Sequence, residues 1–175
     1  MVNPKVAAAI NEQIKNELES AYLYYAMQAY FANAGFDGMA NWMSVQVKEE
    51  LFHASKFYDY IINRGGQIQL KPIAILKTTW ESPLNAFKEA LIHEEFITSR
   101  INFLMKTAID ENDFASKVLL DWYVNEQVEE ESNVTKIIAS LVQVKDSGEG
   151  LLMIDRELAT RVFIMPIPGQ GAQPA

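Results

Sequence analysis

Two sets of metal-competent side chains repeat in this chain with one internal spacing. Glu17 is followed 33 positions later by Glu50 and, three residues on, by His53. Glu94 is followed 33 positions later by Gln127 and, three residues on, by Glu130, so the second set is the first shifted by 77. Side chains three apart on a helix share a face. Glu50 with His53 therefore forms a pincer, and so does Gln127 with Glu130. Four helices aiming such groups at one point would enclose a pocket for two cations. Glu17, Glu50, Glu94 and Glu130 carry four negative charges, and two divalent ions carry four positive ones. His53 adds a neutral nitrogen. Oxygen-rich ligation with one imidazole and no sulfur suits iron or manganese, and zinc also fits.

Those residues need helices to hold them. Asn3-Pro4 reads as a cap followed by a first-turn proline, and helical periodicity then runs to about Asn33. Gly35 and Gly38 punctuate a turn. A second helix is expected from about Met39 to Arg64, stopping at Gly65-Gly66. Ser82-Pro83 opens a third, ending near Asp110, and a fourth covers about 113–145. A shorter, more apolar helix is expected over 149–163. Short turns demand antiparallel neighbours, whereas 66–82 is long enough to travel the length of a bundle. The expected fold is all-α: a four-helix bundle with one long crossover and a short fifth helix. The expected domain is 1–163, with an irregular, proline-rich tail over 164–175.

Stepping three and four residues along each helix shows where the ligand positions face. Met43, Gln46, Glu50, His53 and Phe57 share a line on the second helix. Leu91, Glu94, Thr98 and Ile101 do so on the third, and Tyr123, Gln127, Glu130 and Val134 on the fourth. Glu17 lies among Ile10, Ile14, Leu18 and Ala21. In each helix polar residues interrupt an apolar stripe near its middle. Buried carboxylates cost several kcal/mol unless they take up protons or bind a cation. Glu49, Glu126 and Glu129 flank the seam as a neighbouring, weaker acidic site or as a solvated edge, and Glu131 is expected to face water. Tyr24, two turns after Glu17, reaches the pocket edge as a hydrogen-bond or electron donor, or packs as plain core. Trp122 reads as core. His93, adjacent to Glu94, points elsewhere and receives no role.

Bulk composition narrows the classes. The chain has 175 residues, 49% of them hydrophobic, enough for one domain with a full core. A net charge of −8 argues against a nucleic-acid groove and suits attraction of cations. No apolar run approaches the roughly 18 residues of a membrane span, and no cleavable signal is expected in Met1–Ile10. There is no cysteine, which excludes thiolate sites and fits a reducing, cytoplasmic setting.

Over about residues 3–163 the chain resembles the non-haem prokaryotic ferritins. The matching residues are Glu17, Glu49-Glu50-Leu51-Phe52-His53-Ala54, His93-Glu94-Glu95 and Glu126-Gln127-Val128-Glu129-Glu130-Glu131, with Asn41-Trp42-Met43 and Arg64-Gly65-Gly66. The resemblance implies a ferritin-like fold with a ferroxidase centre. One iron would be held by Glu17, Glu50 and His53, the other by Glu50, Glu94 and Glu130, with Gln127 and Tyr24 beside them. A third iron site would use Glu49, Glu126, Glu129 and Glu130, giving two or three ions per subunit. It also implies O2 as oxidant and a homo-oligomeric cage of 24 subunits storing ferric mineral. Related haem-binding ferritins place a methionine where this chain has Leu51, so no haem is expected. A non-storage di-iron oxidase or peroxidase is the alternative.

Overall fold

The computed structural model describes residues 1–74, 77–145 and 147–165. It contains α1 (Pro4–Ala34), α2 (Asp37–Asn63), α3 (Pro83–Asp110), α4 (Phe114–Val144) and α5 (Gly148–Leu158), and no strand among the described residues. This is the expected all-α bundle. The caps are local. Asn3, Ser82, Asp113 and Ser147 each accept a hydrogen bond from a backbone N–H in the first turn of the helix they precede, satisfying donors that a helix start otherwise leaves free. Gly35 closes α1 in the left-handed region at φ +81°, where a side chain would be strained.

α2 is the exception, because its N-cap residue Phe36 supplies no side-chain bond. The cap comes instead from α5: the Asp155 carboxylate accepts from Met39 N–H at 2.9 Å. The approach is close enough that a Cβ on Gly38 would lie 1.6 Å from the Asp155 carbonyl oxygen. α5 is thereby fixed to the start of α2.

α1 and α2 pair antiparallel across the Gly35 turn, and α3 and α4 across Glu111–Asp113. The crossover climbs along α1. Asn11 accepts from Gln69 N–H and donates to the Gln67 carbonyl, Glu19 accepts from Ala74 N–H, and Trp80 meets Tyr30 edge-on at 5.4 Å. That ascent sets α3 parallel to α2. Polar side chains of α1 thus satisfy an extended backbone that has no sheet to join.

Two differences from expectation concern the C-terminal end. The fifth helix stops at Leu158, short of 163. Asn41 Nδ2 donates to the carbonyls of Leu158, Ala159 and Arg161, so a side chain of α2 takes bonds that a continuing helix would use. Of the tail expected over 164–175, only 164 and 165 lie within the described residues, and both are non-helical.

The apolar core is divided into two clusters. One gathers Tyr24, Met27, Phe31, Met39, Met43, Phe87 and Leu141 with α5. The other gathers Ile10, Ile14, Phe57, Ile61, Ile97, Ile101, Leu120 and Tyr123. Between them lies a belt of buried polar side chains from four helices.

Candidate metal centre

The belt holds Gln13, Asn16, Glu17 and Ser20 from α1, Gln46, Glu50 and His53 from α2, Glu94 from α3, and Gln127 and Glu130 from α4. None of the four acids is more than 5% exposed. Each occupies the inward seam because its helix continues that seam with apolar residues on both sides, and the two clusters bury those residues.

Glu17, Glu50 and His53 converge, each offering a ligand atom within 4.8 Å of the others. The Glu17 carboxylate accepts from Gln13 Nε2 at 2.9 Å through one oxygen, and Asn16 in turn donates to Gln13. The other oxygen, Glu17 Oε2, has no hydrogen-bond partner among the described residues, and neither does Glu50 Oε2. His53 Nδ1 stands 3.4 Å from Glu50 Oε2, near enough to share a ligand with it. Buried polar atoms without partners are rare and costly. Here two of them are carboxyl oxygens of Glu17 and Glu50, acids that converge beside an imidazole. That donor set fits a hard or borderline divalent cation.

The second pair of acids is held differently. Glu94 accepts from the Tyr24 hydroxyl on one oxygen and from Gln127 Nε2 at 3.2 Å on the other. Glu130 accepts from Gln46 Nε2 at 2.9 Å. These neutral donors orient the carboxyls without cancelling their charge. Tyr24 therefore hydrogen-bonds into the site and also meets Trp42 and His93 edge-on.

The electrostatics follow from burial. Desolvation pushes Glu17 up to about 7. Desolvation, reinforced by Glu130, pushes Glu94 up to about 8. Glu50 is also raised well above the ordinary glutamate range, through desolvation and then through the charges of Glu94 and Glu17. Glu130 is also raised by burial, with Arg161 and Gln46 opposing. Burial lowers His53 to about 3, keeping its ring neutral and its lone pair free.

Glu49, Glu126 and Glu129 form a half-buried fringe at the edge of the belt. Desolvation, then Glu130, raises Glu49 to about 8, and desolvation raises Glu126 to about 7. Arg161 Nη2 donates to Glu49 at 2.8 Å. Trp122 is half-buried and packs edge-on to His53 at 5.5 Å, beneath Lys56.

One sequence expectation needs correction. Glu131 is half-buried, not solvated, because Thr98 Oγ1 donates to it. His93 does point off the seam, but towards α1, where its Nε2 lies 2.7 Å from Ser20 Oγ. Sequence reasoning also gave no role to Gln13, Asn16, Gln46 and Arg161. Gln13 sits four residues before Glu17, the carboxylate it meets, a spacing that is a usable signal, whereas Gln46 sits four before Glu50 but bonds Glu130 on α4. Arg161 lies far along the chain from Glu49 and offers none.

A family profile described as Ferritin-like domain matches residues 7–144. The chain belongs to the ferritin family. This ferritin-family chain is 38% identical over 163 residues to the bacterial non-heme ferritin of Staphylococcus haemolyticus, covering 93% of this chain and 98% of that one. It is 38% identical over 161 residues to the bacterial non-heme ferritin of Bacteroides fragilis, covering 92% and 100%. Among solved structures it is similar to an open-pore ferritin from the archaeon Archaeoglobus fulgidus, with TM-score 0.91 and 41% identity over 93% of this chain and all of that one. A humanized archaeal ferritin gives TM-score 0.93 and 43% identity over 94% of this chain and all of that one.

Proposed function

We propose that this ferritin-family chain stores iron, oxidising Fe(II) with O2 at the buried acid belt and depositing Fe(III) inside a homo-oligomeric cage of about 24 copies. The observation that carries the reading is the convergence of Glu17, Glu50 and neutral His53, with one oxygen of each carboxyl, Oε2, left without a hydrogen-bond partner among the described residues. Glu17, Glu50 and His53 would bind one ion. Glu94 and Glu130 would bind the second, with Glu50 between the two. Gln13, Gln46, Gln127 and Tyr24 hold the carboxyls in place, so binding needs little reorganisation. Two Fe(II) ions each give up one electron, and O2 with two protons becomes hydrogen peroxide. Carboxylates favour Fe(III) over Fe(II), which drives the oxidation. The apolar clusters on either side keep bulk water from the pair. Glu49, Glu126, Glu129 and Glu130 would form an outer site for a third ion. No described helix is long and apolar enough to cross a membrane, and the cysteine-free composition suits a reducing cytoplasm.

Two measurements test this. Stopped-flow oxidation of Fe(II) should slow by about a hundredfold or more in Glu50→Ala and His53→Ala, the scale expected when a metal ligand or its immediate support is lost; unchanged rapid oxidation would sink the assignment. The particle mass should lie near 24 times the 19.8 kDa chain. A particle of only a few subunits would favour a non-storage di-iron oxidase or peroxidase.

A further inference from the structure

Arg161 stands in the outer acid fringe and belongs to none of the helices that carry the acids. It follows α5, and its position is set by the backbone: Asn41 Nδ2 holds the Arg161 carbonyl at 3.0 Å. Its guanidinium lies over the Trp42 ring, 4.4 Å from the centroid, and its Nη2 meets Glu49 Oε2 at 2.8 Å. The side chains of Arg161 and Glu49 are only 16% and 23% exposed, so the contact is partly shielded from water. The charge of Arg161 bears on Glu130 as well as on Glu49. Its Nη1 is buried and has no hydrogen-bond partner among the described residues.

A guanidinium bound to a carboxylate uses the lone pairs that a metal ion would use. It is also permanently charged, weakly hydrated and well suited to lie on an aromatic face. It therefore remains in place where a lysine would move into solvent. Yet a single ion-pair bond and a stacked ring hold this one, with a second donor unspent. A divalent ion can compete with so light an attachment, but it must do so against a positive charge.

We propose that Arg161 is a built-in cation that occupies the Glu49 side of the outer acid set and sets that site's affinity for iron below that of the inner pair. The proposal rests on the reading of Glu49, Glu126, Glu129 and Glu130 as an iron-holding set. It assigns a specificity-determining role to the segment after α5. An ion reaching the outer acids meets fewer free oxygens and an opposing charge, so it is held loosely and passes on.

The test is anaerobic calorimetric titration of the assembled protein with Fe(II), repeated with Zn(II) as a redox-inert probe. The parent should show a tighter and a weaker class of sites. Arg161→Gln should tighten the weaker class by about tenfold or more, the scale of removing a unit charge a few ångströms from a partly shielded ion. The tighter class, which feels Arg161 only through Glu130, should tighten by a smaller factor. Arg161→Lys keeps the charge but not the planar fit to Trp42 and Glu49, and should fall between the parent and Arg161→Gln. Glu49→Gln should lose the weaker class, and the double variant should show no gain. If Glu49→Gln abolishes the weaker class while Arg161→Gln leaves it unchanged or weaker, Arg161 is a strut, the proposal is overturned and the acid-set reading stands. If Glu49→Gln leaves the weaker class intact, the acid-set reading fails and the proposal falls with it. Should Arg161→Gln not assemble, Asn41→Ala replaces it. That change frees the segment but removes no charge, and it should tighten the weaker class by a smaller factor; no tightening overturns the proposal.

Discussion

The four central glutamates were legible as residues because each breaks an apolar stripe, and a lone carboxylate at such a place needs a reason. The groups that orient them were less legible. Gln46 sits on the same stripe one turn before Glu50, but an amide in a core has several possible partners, and nothing in the sequence singles out Glu130. In the structure it is the donor that reaches Glu130 Oε2, at 2.9 Å. Gln46→Leu keeps the volume roughly constant and leaves that carboxyl oxygen without its donor. The metal-free protein should lose about 1–3 kcal/mol of stability, measurable by denaturant unfolding of the assembled particle. Loading with iron should recover part of the loss, because a cation on Glu130 takes over the role of the amide. Equal losses with and without iron would place Glu130 outside the metal centre. Arg161 was illegible for a different reason: its partner is on another helix over a hundred positions away, and only the fold brings the two together.

At the scale of elements, the local signals were the reliable ones. Asn3-Pro4, Ser82-Pro83 and Gly35 each act within a turn of themselves, so their chemistry can be read from neighbours alone. The start of α2 and the end of α5 could not be read that way. α2 is capped in trans by Asp155, and α5 is cut short by Asn41. Both devices depend on α5 lying against α2 with no side chain between them, which is what Gly38 permits. Gly38→Ala introduces a methyl 1.6 Å from a backbone carbonyl, a clash that no side-chain rotation relieves. α5 must shift, removing the Met39 cap along with the contact. The expected destabilisation is about 2–3 kcal/mol, at the upper end of overpacking costs plus a lost cap. A lowered melting temperature together with faster amide exchange at Met39 checks it. Normal exchange there would mean that α5 does not cap α2.

For the molecule as a whole, folding and cation binding pull the belt in opposite directions, and pH exposes the conflict. Without a cation, burial raises Glu17 to about 7 and Glu94 to about 8, with Glu49 and Glu126 shifted the same way. Unfolded glutamate titrates near 4.5. Between these values the folded chain binds more protons than the unfolded one, so its stability falls as pH rises. His53 and His93 oppose this. Burial lowers them to about 3 and about 4, so their contribution is complete above pH 6.5 and fades below it. Above pH 6.5 the histidine slope dies away as the unfolded imidazoles lose their protons, and the more numerous glutamates dominate. The metal-free protein should lose thermal stability steadily from about pH 6.5 to 8.5, as Glu17 and then Glu94 ionise in an apolar setting. Bound divalent ions reverse the preference, because they require the ionised acids and expel their protons. The loaded protein should show a flat or rising profile across the same window, and loading at pH 6.5 should release more protons per ion than loading at pH 8.5. Calorimetric scans of both forms and a proton-release titration read these outcomes directly. A metal-free profile that rises with pH would mean that the acids are already ionised and satisfied in the folded chain, and the physical case for a cation pair at the centre of the bundle would be lost.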